Sequence, residues 1–141
     1  MAYSVQTDME EQISQNELIQ LTDDEDTGEV DTDVLSRAIA DADAEIDSYC
    51  ANRYTVPFSP VPAMIRKLSV DIAIYNLFSR RALDVSDERQ QRYDNAIRFL
   101  RDLAKGLISL GAESPSPVNP DNSVSMDSNT RVFNRNKLRG F

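Results

Sequence analysis

Three long stretches of this chain place apolar residues at spacings of three and four, and no segment sustains a period of two. That pattern confines the fold to packed helices, because a half-buried strand alternates its apolar residues while a helix gathers them into one stripe. The first stretch predicts a helix over 32–52, with Leu35, Ile39, Ala42, Ile46 and Tyr49 as the stripe and Val34, Ala38 and Cys50 widening it. Asp31 or Thr32 suits its N-cap, and acids in the first turn suit the helix dipole. Asp41, Asp43, Glu45 and Asp47 fall around the other face. Pro57, Pro60 and Pro62 then fix an extended connection and open a second helix over 62–83. That helix is apolar nearly all round, from Met64 and Ile65 to Leu77 and Phe78, and is expected at the centre. A third helix starts near Ser86 or Asp87 and runs to Leu110, with Gly111 as its C-terminal cap. Tyr93, Ile97, Leu100, Ala104 and Leu107 form its seam; Asp94, Arg98, Arg101, Asp102 and Lys105 face outward, Asp94 and Arg98 as a favourable pair one turn apart.

The expected fold is all-α, a compact core of three long helices over residues 31–111. Residues 1–30 read as an acidic arm with short helices, capped by Thr7 or Asp8 and then by Ser14 or Asn16. Met9, Ile13, Leu18, Ile19 and Leu21 are enough for docking but not for independent folding. Residues 112–129, rich in Ser, Pro, Asn and Asp, read as a linker, and 130–141 as an extended basic docking arm.

Charge is segregated along the chain. The net charge is −9, yet the first basic residue is Arg37 and the last twelve residues carry no acid. Eleven acids precede Arg37, including Asp23, Asp24, Glu25 and Asp26. The closing segment sets Arg131, Arg135, Lys137 and Arg139 among Phe133, Leu138 and Phe141. Acidic and basic ends make such a chain complementary to a second copy of itself. Docking of the closing segment on a protein groove is favoured over nucleic acid, which the acidic whole repels.

Absent residues exclude much chemistry. There is no His, so the usual general base and commonest metal ligand are missing, and four glycines cannot build a phosphate-cradling loop. Cys50 stands alone and reads as a small core residue in a reducing compartment. No leader peptide and no membrane-length apolar run is expected. The acidic loop Asp23-x-Glu25-x-Thr27-Gly28 resembles a calcium loop, but Val34 stands where the bidentate Glu belongs, so it reads as a turn and helix cap. Carboxylate pairs such as Asp43/Asp47 and Glu10/Glu11 read as solvated faces. Asp71 interrupts the central helix and reads as a partly buried acid paired with Lys67 or with an Arg from another helix. Arg80 and Arg81 complement the dipole at that helix's end. No catalytic group, metal or cofactor is expected.

The strings AYSVQTDMEEQISQNELIQLTDD, DTDVLSRAIADADAEIDSYCANRYTVPFSPVP, RYDNAIRFLRDLAKG and RVFNRNKLRGF together resemble the Mu-like phage and prophage head–tail adaptor family, over nearly the whole chain. The most specific part is Ile46-Asp47-x-Tyr49-x-x-x-Arg53-Tyr54-x-x-Pro57, a structural motif; residues 113–130 match least. The resemblance implies a virion neck protein at the head–tail junction, made in the host cytoplasm. It implies a ring, usually of twelve copies, whose partners are neighbouring copies, the portal protein and tail-side neck proteins, with genomic DNA only passing through and no membrane. An acidic channel lining lets DNA slide. The alternative reading is an acidic DNA mimic that sequesters a nucleic-acid-binding partner; a carboxylate metal hydrolase centred on Asp71 or the acidic loop is a third.

Overall fold

The computed structural model describes residues 1–81 and 84–111, within which the chain forms five helices and no strand. They are α1 (Gln6–Glu10), α2 (Gln15–Thr22), α3 (Thr32–Cys50), α4 (Ala63–Arg80) and α5 (Asp87–Lys105). The linker 112–129 and the arm 130–141, with Arg131, Phe133, Arg135, Lys137, Leu138, Arg139 and Phe141, lie outside the described residues.

Local chemistry sets the helix starts. Ser14 Oγ accepts from Glu17 N at 3.2 Å to open α2, and Asp31 Oδ1 accepts from Asp33 N and Val34 N at 2.9 and 3.1 Å to open α3. Ser86 Oγ accepts from Arg89 N at 3.4 Å to open α5, while Pro62, in extended conformation, leads into α4. At α1 the cap is reversed: Val5 occupies the N-cap, and its N–H donates to the Asp8 carboxylate at 2.9 Å.

The end of α5 departs from expectation. Gly106, at φ 79°, takes the left-handed position; its N–H donates to Leu103 O and that of Leu107 to Asp102 O. This double bond pattern is the Schellman closure, which a glycine permits without a Cβ penalty. The helix therefore stops at Lys105 instead of Leu110, and Leu107, expected in the seam, is 71% exposed. The expected Asp94–Arg98 partnership also differs, since Asp94 Oδ1 accepts from Gln90 Nε2 at 3.1 Å.

Helix α4 is central, as its all-round apolarity demands. Ile65, Leu68, Val70, Ile72, Ala73, Ile74 and Leu77 are buried along it, and it packs on α3, α5 and both short helices. The apolar residues of the N-terminal arm, read as enough for docking but not for independent folding, dock on the chain's own bundle. Tyr3, Met9, Ile13, Leu18 and Leu21 belong to the same buried cluster as the three long helices. Short helices gain their stability from packing an apolar face, and here that face is spent on the chain's own bundle. Arg89 Nη2 donates to Gln12 O, and Arg92 Nη1 to Gln12 Oε1, fastening the α1–α2 turn to α5.

Candidate functional site

The N-terminal segment enters the bundle through a buried polar network. Tyr3 N donates to Asp43 Oδ2 at 2.9 Å, and Ser69 Oγ of α4 donates to Asp43 Oδ1 at 2.7 Å. Ser4 Oγ lies 2.8 Å from Ser69 Oγ. The Tyr3 hydroxyl donates to Asp47 and accepts from Phe58 N at 3.0 Å. Its ring packs on Phe58 at 5.8 Å between centroids, and Tyr54 packs on Phe58 at 5.9 Å. Asp43, expected on a solvated face, is instead buried, because the entering backbone and Ser69 supply the donors a buried carboxylate needs. Burial still raises its carboxyl above the ordinary value, against the pull of Ser69 and Tyr3 N.

Beside this clasp lies a cleft of about 600 Å³ between the N-terminal segment and α3. Leu35, Ile39, Ala40, Asp43, Ala44 and Asp47 line it from α3, Met1 and Val5 from the N-terminal segment, and Pro57 lines it as well. Met1 and Val5 are two of the three strongly exposed large apolar residues among the described residues.

The motif residues are brought together as structural parts. Ile46 is fully buried and Tyr49 half-buried against the core. Arg53 Nη1 donates to Leu103 O at 3.2 Å, a second donor beside the Gly106 N–H on that carbonyl at the end of α5, where a cation also suits the helix dipole. A Cβ at Gly106 would meet that guanidinium at 2.2 Å, so a larger residue there would displace the Arg53 side chain as well as strain the left-handed backbone. Tyr54 Oη accepts from Leu110 N at 3.4 Å, and Pro57 borders the cleft. The spacing from Tyr49 to Pro57 is the turn that joins the ends of α3 and α5 to the clasp. Cys50 is fully buried, and burial and then the Asp47 charge push its thiol up to about 11.

Half of the acidic run Asp23–Asp26 is consumed within the chain. The Asp23 carboxylate accepts from Glu25 N, Thr27 N and Gly28 N at 3.2, 3.0 and 2.7 Å. These donors, Thr27 first, hold it below the usual carboxylate range and point it into its own loop. Asp24 pairs with Arg80 and, at 2.7 Å, with Arg81, while Glu25 and Asp26 are exposed. Arg80 and Arg81 thus bind the loop to the end of α4. Among the described residues no three of His, Cys, Asp and Glu converge as a metal site, and no helix is long and apolar enough to cross a membrane.

Asp71 sits as expected of an acid facing another helix's arginine. Arg92 Nη1 approaches Asp71 Oδ1 at 3.8 Å, and that oxygen is buried without a hydrogen bond. Burial raises its carboxyl, with Arg92, Lys67 and Arg89 pulling the other way. Tyr75 of α4 and Tyr93 of α5 stack at 4.0 Å, and Tyr93 Oη donates to Glu45 Oε1 of α3 at 3.2 Å.

Sequence reasoning missed Tyr3, Ser4, Ser69 and the cleft. Ser69, a hydroxyl inside the apolar central helix, was the available signal. It needed a buried partner, and Asp43 supplies it.

The comparisons with known proteins accord with this fold. The family described as Bacteriophage Mu, Gp36 matches residues 3–128. The Mu-like prophage FluMu protein gp36 of Haemophilus influenzae is 38% identical over 108 residues, covering 76% of this chain and 74% of that one. Gene product J of Escherichia phage Mu is 29% identical over 116 residues, covering 81% of this chain and 79% of that one. The match begins at Tyr3, the residue that closes the clasp, and includes every helix described; the chain belongs to the Bacteriophage Mu Gp36 family of Mu-like phage proteins.

Proposed function

We propose that this protein is a structural subunit of the virion neck, a head–tail connector without enzymatic activity. Its copies form a ring beneath the portal and join the DNA-filled head to the tail-side neck proteins. The observation that carries the reading is the motif from Ile46 to Pro57, which resembles that of head–tail adaptors and here ties α3, α5 and the N-terminal clasp into one rigid block. A ring subunit must hold its interfaces at fixed spacing, and a block locked at both helix ends meets that need. Two different complementary surfaces are also required for a closed ring. The acid-rich residues 1–111 and the closing residues 130–141, with four cations and no acid, are chemically such a pair.

The DNA-mimic alternative needs a regular array of free carboxylates. Asp23 turned into its own loop and Asp24 held by two arginines weigh against it. Deleting residues 130–141 is expected to leave the helical core folded while heads fail to join tails. Circular dichroism and electron microscopy of particles from a phage carrying the deletion check both halves. Joined, infectious particles with no density for this chain at the neck overturn the connector reading.

A further inference from the structure

Arg92 bonds the weaker of two acceptors that lie near it. Its Nη1 donates to the Gln12 side-chain oxygen at 3.0 Å, while Asp71 Oδ1 lies 3.8 Å away, beyond bonding range. A guanidinium bonds a carboxylate about twice as strongly as it bonds a neutral amide. The penalty falls on Asp71, whose side chain is 6% exposed and whose Oδ1 is buried without a hydrogen bond. Arg92 is placed to move. Glu88, one turn earlier on α5, holds its Nη2 at 3.0 Å, a pivot about which Nη1 can swing. Gln12 lies half-buried in the turn between α1 and α2, so water can replace the arginine on its amide. What keeps the turn on α5 is mainly apolar. Arg89 Nη2 donates to Gln12 O at 3.3 Å, but Met9 and Ile13 are buried on either side of the turn, and helices this short stay formed only by such packing.

We infer that the α1–α2 turn is a latch that hands Arg92 from Gln12 to Asp71 when it lifts from α5. In the closed state, the one described above, Gln12 holds the arginine and Asp71 Oδ1 goes without a donor. In the open state Arg92 closes on Asp71 and ties α5 to the central helix by a charged bond. The cations facing Asp71 are Lys67 on its own helix and Arg89 and Arg92 on α5. Among the described residues Arg92 alone comes within 4 Å of it, so Arg92 is the one that transfers. Whatever grips the turn from outside is thereby felt at the seam of α4 and α5, and by linkage whatever tightens that seam loosens the turn. The latch does not depend on the connector reading and outlives its failure.

Amide hydrogen exchange of the full chain at about pH 7 tests it. Gln12 N and Ile13 N both donate to Met9 O, so their exchange reports local opening of the turn. Asp71→Asn removes the charge that receives Arg92, so opening becomes rarer. Exchange at Gln12 and Ile13 is expected to slow at least about fivefold, the lower edge of typical coupling between linked sites. In an Arg92→Ala background the same substitution is expected to leave that exchange unchanged, which separates the latch from a general firming of the bundle. Unchanged or faster exchange in Asp71→Asn overturns the proposal, and so does equal slowing with Arg92 absent. Gln12→Ala, at a half-buried surface position, supplies a second arm. It frees Nη1, so the Asp71 carboxyl, followed by carbon-13 chemical shift, is expected to titrate at least about one pH unit lower than in the parent chain. A midpoint that stays in place means that Arg92 does not cross to Asp71, and the latch fails.

Discussion

Asp71 and Asp43 are acids buried where water cannot reach both oxygens, and they are handled differently. Asp43 receives donors from Tyr3 and Ser69 on both oxygens, whereas Asp71 has one oxygen without a hydrogen bond and an arginine 3.8 Å away. Burial raises both carboxyls above the ordinary value. Between the ordinary and the raised value the folded chain holds more protons than the unfolded one, so the slope of unfolding free energy against pH is negative there. The contribution of each acid is thus present below the ordinary value of 3.8 and lost as pH rises through its folded value. Asp23 has the opposite sign: donated backbone N–H groups lower it, and its contribution is lost as pH falls. Asp71→Asn keeps the volume and removes the ionisation, so its stability relative to the parent chain is expected to improve as pH rises above about 4 and to level off once pH passes the raised value of the buried carboxyl. Urea midpoints across that range measure the difference. A difference that does not change with pH means Asp71 ionises as easily in the fold as outside it.

At the scale of elements, the three long helices were legible because each carries a sustained stripe and a recognisable cap. Asp31, Ser86 and the prolines before α4 sit where the sequence predicts, and the all-round apolar helix is the central one. Two features were not legible. Gly106 and Gly111 both take left-handed conformations, so a glycine alone does not mark the end of α5; there the guanidinium of Arg53, fifty residues before Leu103, also donates to the Leu103 carbonyl. The place of α1 and α2 depends on whether their few apolar residues meet this chain or another, which periodicity alone does not decide. The cleft was hidden for the same reason, since its two walls come from residues some thirty to forty positions apart. The burial of α2 has a measurable consequence. Leu18 is fully buried, so Leu18→Ala is expected to destabilise the whole bundle by about 2–5 kcal/mol, the range for deleting a packed leucine side chain. In a detachable arm the same change leaves global stability within about 0.5 kcal/mol. Equilibrium urea unfolding, followed by circular dichroism, separates the two.

The whole molecule couples an acid-rich body to a cationic closing segment, and salt acts on these in opposite senses. Among residues 1–111 the acids outnumber the cations, so two such bodies repel. In the connector reading the cationic closing segment attracts the acid-rich body of another copy at short range, with apolar anchors that salt does not weaken. The screening length falls from about 10 Å at 0.1 M to about 3 Å at 1 M, which removes body–body repulsion and trims the attraction of exposed ion pairs. In a chain lacking residues 130–141, only the repulsion is present, so added salt is expected to leave self-association unchanged or raise it. In the intact chain the attraction dominates at low salt, because its charges meet at contact while the bodies' charges are spread over the surface. Its self-association is therefore expected to fall between about 0.05 and 0.5 M NaCl and then level off where the apolar anchors alone remain. Sedimentation velocity of both chains at matched concentration reads the two slopes. If the intact chain associates more strongly with salt, as the shortened one does, then charge between the two ends is not what draws copies together.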